Sequence, residues 1–150
     1  MTSIDDARAT LDFSGLVGEF RRAFNARVTR PLEWRREQLR QMDKMLVENE
    51  GEFTEALRAD LGKPALEGWT TDLGFTRSEI KLLDKNLERW TGDDKVRLPM
   101  TVQPGSGRIV QEPLGVALVI APWNYPIQLL LNPMAGAIEA MQRPALVIAH

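Results

Sequence analysis

A six-residue apolar run, Val116–Ala121, stops abruptly at Pro122-Trp123-Asn124-Tyr125-Pro126. No other stretch of the chain limits its fold as closely. A short apolar run bounded by turn residues reads as a buried β-strand. A polar-tipped loop at the carboxyl end of a strand is where open α/β sheets place ligands. The prolines on either side hold Asn124 in a fixed place. An amide held that way can donate hydrogen bonds to an oxygen that becomes negative during a reaction. On turn chemistry alone, a plainer reading of Asn124 as a cap or turn residue stands beside that one.

Composition narrows the remaining classes. The 150 residues are 43% hydrophobic and 27% charged, which is the balance of a globular chain and not of a disordered one. With a net charge of −2 and the two signs interspersed, nothing points to nucleic acid or an anionic membrane as partner. The opening residues, MTSIDDARATLDF, are acidic and polar where a secretory signal needs a basic start and an apolar core. No apolar stretch approaches the roughly 20 residues that span a bilayer, so no membrane segment is predicted and the expected location is cytoplasmic. With no cysteine there is neither a disulfide nor a thiolate metal site, and no metal centre is predicted.

The first two-thirds of the chain read as helical. Leu16, Val17, Phe20 and Phe24 recur at helical spacing over residues 15–27, and Thr29-Arg30-Pro31 breaks the run. A second helix is predicted from Pro31, with Trp34, Leu39, Met42, Met45 and Leu46 as its apolar stripe. Glu50-Gly51 interrupts it; Phe53, Leu57 and Leu61 continue on one face until Gly62 stops the run. Trp69, Leu73, Ile80, Leu83, Leu87 and Trp90 come next at spacings of 4, 7, 3, 4 and 3, a face of about six turns. After Gly92 the pattern changes. Residues 96–103 and 108–112 read as short strands around the turn Pro104-Gly105-Ser106-Gly107, a projecting hairpin. A strand is expected over 114–121, apolar on both faces, then a helix over 127–141 that contains Pro133, then a second buried strand over 144–149. There are no internal repeats.

Several features read as structural. Trp34, Trp69 and Trp90 are expected to face the core. Asp60-Leu61-Gly62-Lys63 reads as a helix end with a solvated lysine, and the mixed charges of residues 35–44 as a solvated helix face. Gly105-Ser106-Gly107 is too short for a phosphate loop. His150, the only histidine, is assigned no chemistry.

The wording RVTRPLEWRREQL, then EALRADLGK, then EPLGVALVIAPWNYPIQLLLNPMAGAI resembles the N-terminal part of aldehyde dehydrogenases of the class 3 type. The resemblance runs from about Leu16 to Ile138. Members of this family are NAD- or NADP-dependent oxidoreductases that convert aldehydes to carboxylic acids. The resemblance implies an α/β fold: a helical layer over residues 1–95, a hairpin of an oligomerisation arm over 96–112, and the first strand–helix–strand of an incomplete Rossmann-like domain over 113–150. It implies that Asn124 is the oxyanion donor, that Ile120, Ala121, Pro122 and Trp123 line the cofactor's ribose and nicotinamide, and that Tyr125 sits where the substrate tunnel meets the nicotinamide. It implies a homodimer formed through the hairpin arm.

The wording departs from the family after Gly136-Ala137-Ile138. The family continues A-A-G-N, an apolar run and K-P-S-E; this chain reads Glu139-Ala140-Met141-Gln142-Arg143-Pro144 instead. A frameshift, an early stop or a wrongly placed gene end would break it so; a genuine short product is the other reading. The family mechanism uses a cysteine thiolate as nucleophile and a glutamate that activates water. This chain has no cysteine, so alone it is expected to be inactive and prone to association through exposed apolar surface. A non-catalytic module that pairs with full-length subunits is the alternative function.

Overall fold

The computed structural model describes residues 12–140 and 143–149; Met141 and His150, which figure in the expectations above, lie outside the described residues. The chain is mostly helical, with one small antiparallel sheet and one parallel strand pair. Helix α1 spans Phe13–Asn25 and begins two residues earlier than its apolar pattern suggests. The cause is Asp12, whose carboxylate accepts a hydrogen bond from the Gly15 amide at 2.9 Å and so caps the first turn. Helix α2 spans Leu32–Glu48, directly after Pro31. Helix α3, Glu50–Leu61, ends at Gly62, whose φ of 66° lies in the left-handed region that stops a helix cheaply only at glycine.

The long helical face predicted over residues 69–90 is real but not regular. Helix α4 (Ala65–Gly68) runs through a π-helical turn, Trp69–Gly74, into α5, Phe75–Thr91. Three threonine hydroxyls tie this segment to itself, each donating to a carbonyl four residues earlier: Thr70 to Leu66, Thr71 to Glu67, Thr76 to Asp72. The π turn adds a residue to the helical repeat and rotates α5 relative to α4. Leu73, Ile80 and Leu87 are buried, whereas Trp69 and Trp90 are exposed. The expectation that both tryptophans face the core is therefore wrong.

The hairpin is shorter than expected. β1 (Asp94–Val96) and β2 (Gly107–Ile109) pair antiparallel from Asp94 opposite Ile109 to Val96 opposite Gly107. Most of the strand predicted over 96–103 is a loop with a 3₁₀ turn, Met100–Val102. Pro99 and Pro104 bracket that turn, and a proline has no N–H to give to a ladder.

β3, Val116–Ala121, begins after Gly115, whose φ of 114° few other residues adopt. Helix α6, Pro126–Glu139, absorbs Pro133 without breaking and leads to β4, Arg143–Ala149. β4 pairs parallel to β3, with one irregularity between Ala117 and Leu118. The crossover helix is what parallel pairing requires. Val119 and Ala121 are buried while Leu118 and Ile120 are exposed, so β3 buries one face and not both.

The core lies between the helical layer and α6. Leu39, Met42 and Leu46 of α2 and Leu57 of α3 meet Leu73 and Ile80, and Ile127, Leu131, Ala135 and Ile138 of α6 close the cluster. Removal of such apolar area from water is the main favourable term in folding. Charges on α2 and α5 clasp over this contact: Arg77 Nε reaches Asp43 at 2.7 Å and Arg36 reaches Asp84 at 3.3 Å. The charges over residues 35–44 are thus partly an inter-helix seam, not a wholly solvated face.

Candidate active site

β3 delivers the turn Pro122-Trp123-Asn124-Tyr125 to its carboxyl end, and α6 carries the chain away from it. Ala121, the last strand residue, is 1% exposed and anchors one side of the turn. The other side is anchored at the start of α6. Tyr125 occupies the N-cap position and its side chain makes no cap hydrogen bond. The cap comes instead from a residue more than fifty positions earlier. Asp72 Oδ1 accepts from the amides of Ile127 (3.2 Å) and Gln128 (3.3 Å).

Asp72 is fully buried, and a buried carboxylate is tolerable only when it is paired and hydrogen-bonded. Its other oxygen, Oδ2, accepts from Lys63 Nζ at 2.7 Å. The same ammonium lies 4.0 Å from the centroid of the Tyr125 ring, a cation–π contact. Lys63 is only 9% exposed, which corrects its reading as a solvated residue. Gly62 turns the chain inward at the end of α3, and the π turn carries Asp72 inward from the other side. Two neighbouring segments, the end of α3 and the π turn, therefore converge on the distant Tyr125 and the first turn of α6.

The far end of α6 is gripped by the opposite charge. Arg35, 2% exposed, donates from Nη1 to the Glu139 carbonyl at 2.8 Å. Burial lowers the Arg35 pKa, an effect partly offset by the nearby Glu139 carboxylate. Burial raises the Glu139 pKa in turn, and Arg35 offsets that only in part. An anion at the amino end of a helix and a cation at its carboxyl end both complement the helix dipole.

Within this frame Asn124 is exposed, and among the described residues no hydrogen bond engages its side chain. Its carboxamide is available to an incoming oxygen. Ile120 and Pro122 are exposed, whereas Ala121 between them is buried, backbone included. Trp123 is half exposed, and with Phe53, Leu57 and Leu61 of α3 it lines an apolar hollow of about 160 Å³. Tyr125 is half-buried with its ring committed to Lys63. Among the described residues no cluster of His, Cys, Asp or Glu is arranged to hold a metal, and no helix is long and apolar enough to cross a membrane.

The end of β3 and the start of α6 differ in what they leave open to a ligand. The exposed apolar end of β3 suits contact with a ring and its sugar. A pyrophosphate is commonly taken at the amino end of the helix after the first strand of such a unit. Here the Ile127 and Gln128 amides are already bonded to Asp72, so that end is closed to it.

Residues 3–141 match the profile of the Aldehyde dehydrogenase family, and the chain belongs to that family. Its relatives are of the class 3 type. It is 46% identical over 127 residues to aldehyde dehydrogenase family 3 member H1 of Arabidopsis thaliana, which covers 85% of this chain and 26% of that protein. It is 40% identical over 117 residues to the 4,4'-diaponeurosporen-aldehyde dehydrogenase of Staphylococcus aureus, covering 78% of this chain and 26% of that protein. Among solved structures, the substrate-bound state of Staphylococcus aureus AldH superposes with a TM-score of 0.86 at 34% identity, covering 93% of this chain and 30% of the other. The chain thus spans about a quarter of the length of the curated relatives it matches.

Proposed function

We propose that these residues are the N-terminal portion of an NAD- or NADP-dependent aldehyde dehydrogenase, in which Asn124 is the oxyanion donor. The observation that carries this reading is the unengaged carboxamide of Asn124 on a turn anchored at both ends. When the aldehyde carbon becomes tetrahedral, its oxygen gains negative charge. An amide already in position stabilises that charge without reorganising. Tyr125 borders the path of the aldehyde, and the Ile120, Ala121, Pro122 and Trp123 strand end meets the cofactor's ribose and nicotinamide. A bound nicotinamide supplies the hydride acceptor. The β3–α6–β4 unit is then the start of a Rossmann-like sheet, and the β1–β2 hairpin the start of the arm through which two subunits pair.

Nothing in these 150 residues can serve as the thiolate nucleophile, since there is no cysteine. The chain supplies the stabilising half of the chemistry and is inactive alone. The exposed apolar hairpin loop, with Met100 at 92% exposure, favours a second reading as a non-catalytic module that pairs with full-length dehydrogenase subunits.

Two experiments separate the readings. Residues 12–140 replace the matching segment of a full-length family 3 dehydrogenase, and NAD(P)H formation is followed over an aldehyde panel. The expected result is an active graft whose kcat falls about 10²–10³-fold on Asn124→Ala, beside a 150-residue chain with no turnover. An Asn124→Ala graft with unchanged kcat would overturn the oxyanion role. Capture of the short chain by an intact dehydrogenase would support the second reading.

A further inference from the structure

We propose that Lys63 and Asp72 form a positioning device for Asn124, so that a buried ion pair in the helical layer sets the rate of a group it does not touch. The inference rests on the reading of Asn124 as oxyanion donor.

Four residues, Pro122 to Tyr125, lie between the end of β3 and the first residue of α6. Among the described residues the Asn124 side chain has no hydrogen bond of its own, so its place is inherited from the two anchors. The strand anchor is ordinary: Ala121 is buried and paired with Ala149. The helix anchor is unusual. It is a carboxylate on a distant segment, and it spends one oxygen on two consecutive amides and the other on a buried ammonium.

A simpler cap was available. Ser, Thr, Asp or Asn at position 125 would satisfy the same amides locally; this chain has Tyr125 there. A local cap would fix the helix start relative to itself alone. Asp72 fixes it relative to the π turn and α5, and Lys63 adds α3 through the same carboxylate while holding the Tyr125 ring at 4.0 Å. The turn is thereby registered against the body of the helical layer. That is the requirement for a donor whose value depends on sub-ångström placement.

The test uses the grafted full-length dehydrogenase and, separately, the 150-residue chain. Lys63→Met with Asp72→Leu removes both charges and the acceptor; Lys63→Met with Asp72→Asn removes the charges and keeps an acceptor oxygen. In the graft, the first pair should lower kcat by about 10- to 100-fold with the aldehyde KM held within about twofold. The second pair should recover most of the loss. Adding Asn124→Ala to the first pair should cost no more than Asn124→Ala alone, because both act through one amide. Losses that multiply, or a kcat unchanged in the first pair, would overturn the proposal. Should Asn124→Ala itself leave kcat unchanged, the oxyanion reading fails and no rate remains for the clamp to set, so the kinetic proposal fails with it. The anchoring is read independently in the 150-residue chain by amide hydrogen exchange. Exchange at Ile127 and Gln128 should speed up at least about tenfold in the Leu variant and little in the Asn variant. Equal exchange in parent and Leu variant, or equal acceleration in both variants, would overturn it, and this readout also decides if the Leu variant of the graft does not fold.

Discussion

Lys63 and Asp72 place opposite charges 2.7 Å apart with almost no access to water. Such a pair contributes little over a well-packed apolar substitute, yet breaking it from one side is costly because the survivor stays buried and charged. Lys63→Met alone should therefore destabilise the fold by about 3–5 kcal/mol. Lys63→Met with Asp72→Asn should cost clearly less. Urea unfolding followed by far-UV dichroism compares them, and equal midpoints for single and double variants would show that the charges are not coupled. The two halves of this site differ in how far the sequence reveals them. Asn124 is legible because its signal is local: an apolar run, a proline on each side and a polar tip. Lys63 reads as solvated because a lysine after a helix-stopping glycine usually is. Only the fold shows that Gly62 turns it toward Asp72. Asp72 itself leaves one trace, a carboxylate directly beside the apolar position Leu73, and the π turn that buries it has no clear sequence signature.

α6 is the element on which fold and site meet, since its apolar face closes the core and its amino end carries the turn. Glu139 is the discordant residue, a carboxylate at the negative end of the helix dipole. Burial pushes its pKa above the usual value, more than Arg35 pulls it back. The folded protein therefore holds the Glu139 proton more tightly than the unfolded chain does. That contribution is fully present below the ordinary glutamate range and is lost as pH rises through the raised value. At neutral pH the ionised carboxylate is a net cost. Glu139→Gln should raise Tm at pH 7, and the gain should shrink toward zero as the pH falls to about 4. A gain that grows on acidification would reverse the assignment. Long amphipathic elements such as α2, α3 and α5 are readable from their spacing, and their ends from Pro31 and Gly62. The hairpin is readable as a pairing but not in extent, because Pro99 and Pro104 divert the strand into a 3₁₀ turn.

At the scale of the whole molecule, the described residues divide into a helical layer closed by α6 and a strand pair against which α1 packs, and β3 leaves one of its faces open. Leu118 and Ile120 are 56% and 63% exposed on that face, and Leu114, just before the strand, is 88% exposed. Neighbouring apolar side chains on a sheet face seek cover, from more strands, from a helix or from another copy. In a full-length relative, the remaining three-quarters of the sequence is available for that; in the 150-residue chain a second copy is the nearest source. The chain should therefore sediment above its monomer mass in a concentration-dependent way. Leu118→Ser with Ile120→Ser should shift it toward monomer, because both substitutions lie on the open face and leave Val119 and Ala121 packed. Far-UV dichroism should not change, since neither side chain belongs to the buried cluster. A parent chain that runs as a monodisperse monomer would mean that this face is already covered. An association untouched by the two serines would move the contact to the hairpin, where Met100 and Val102 are also exposed and where paired subunits of the family are proposed to meet.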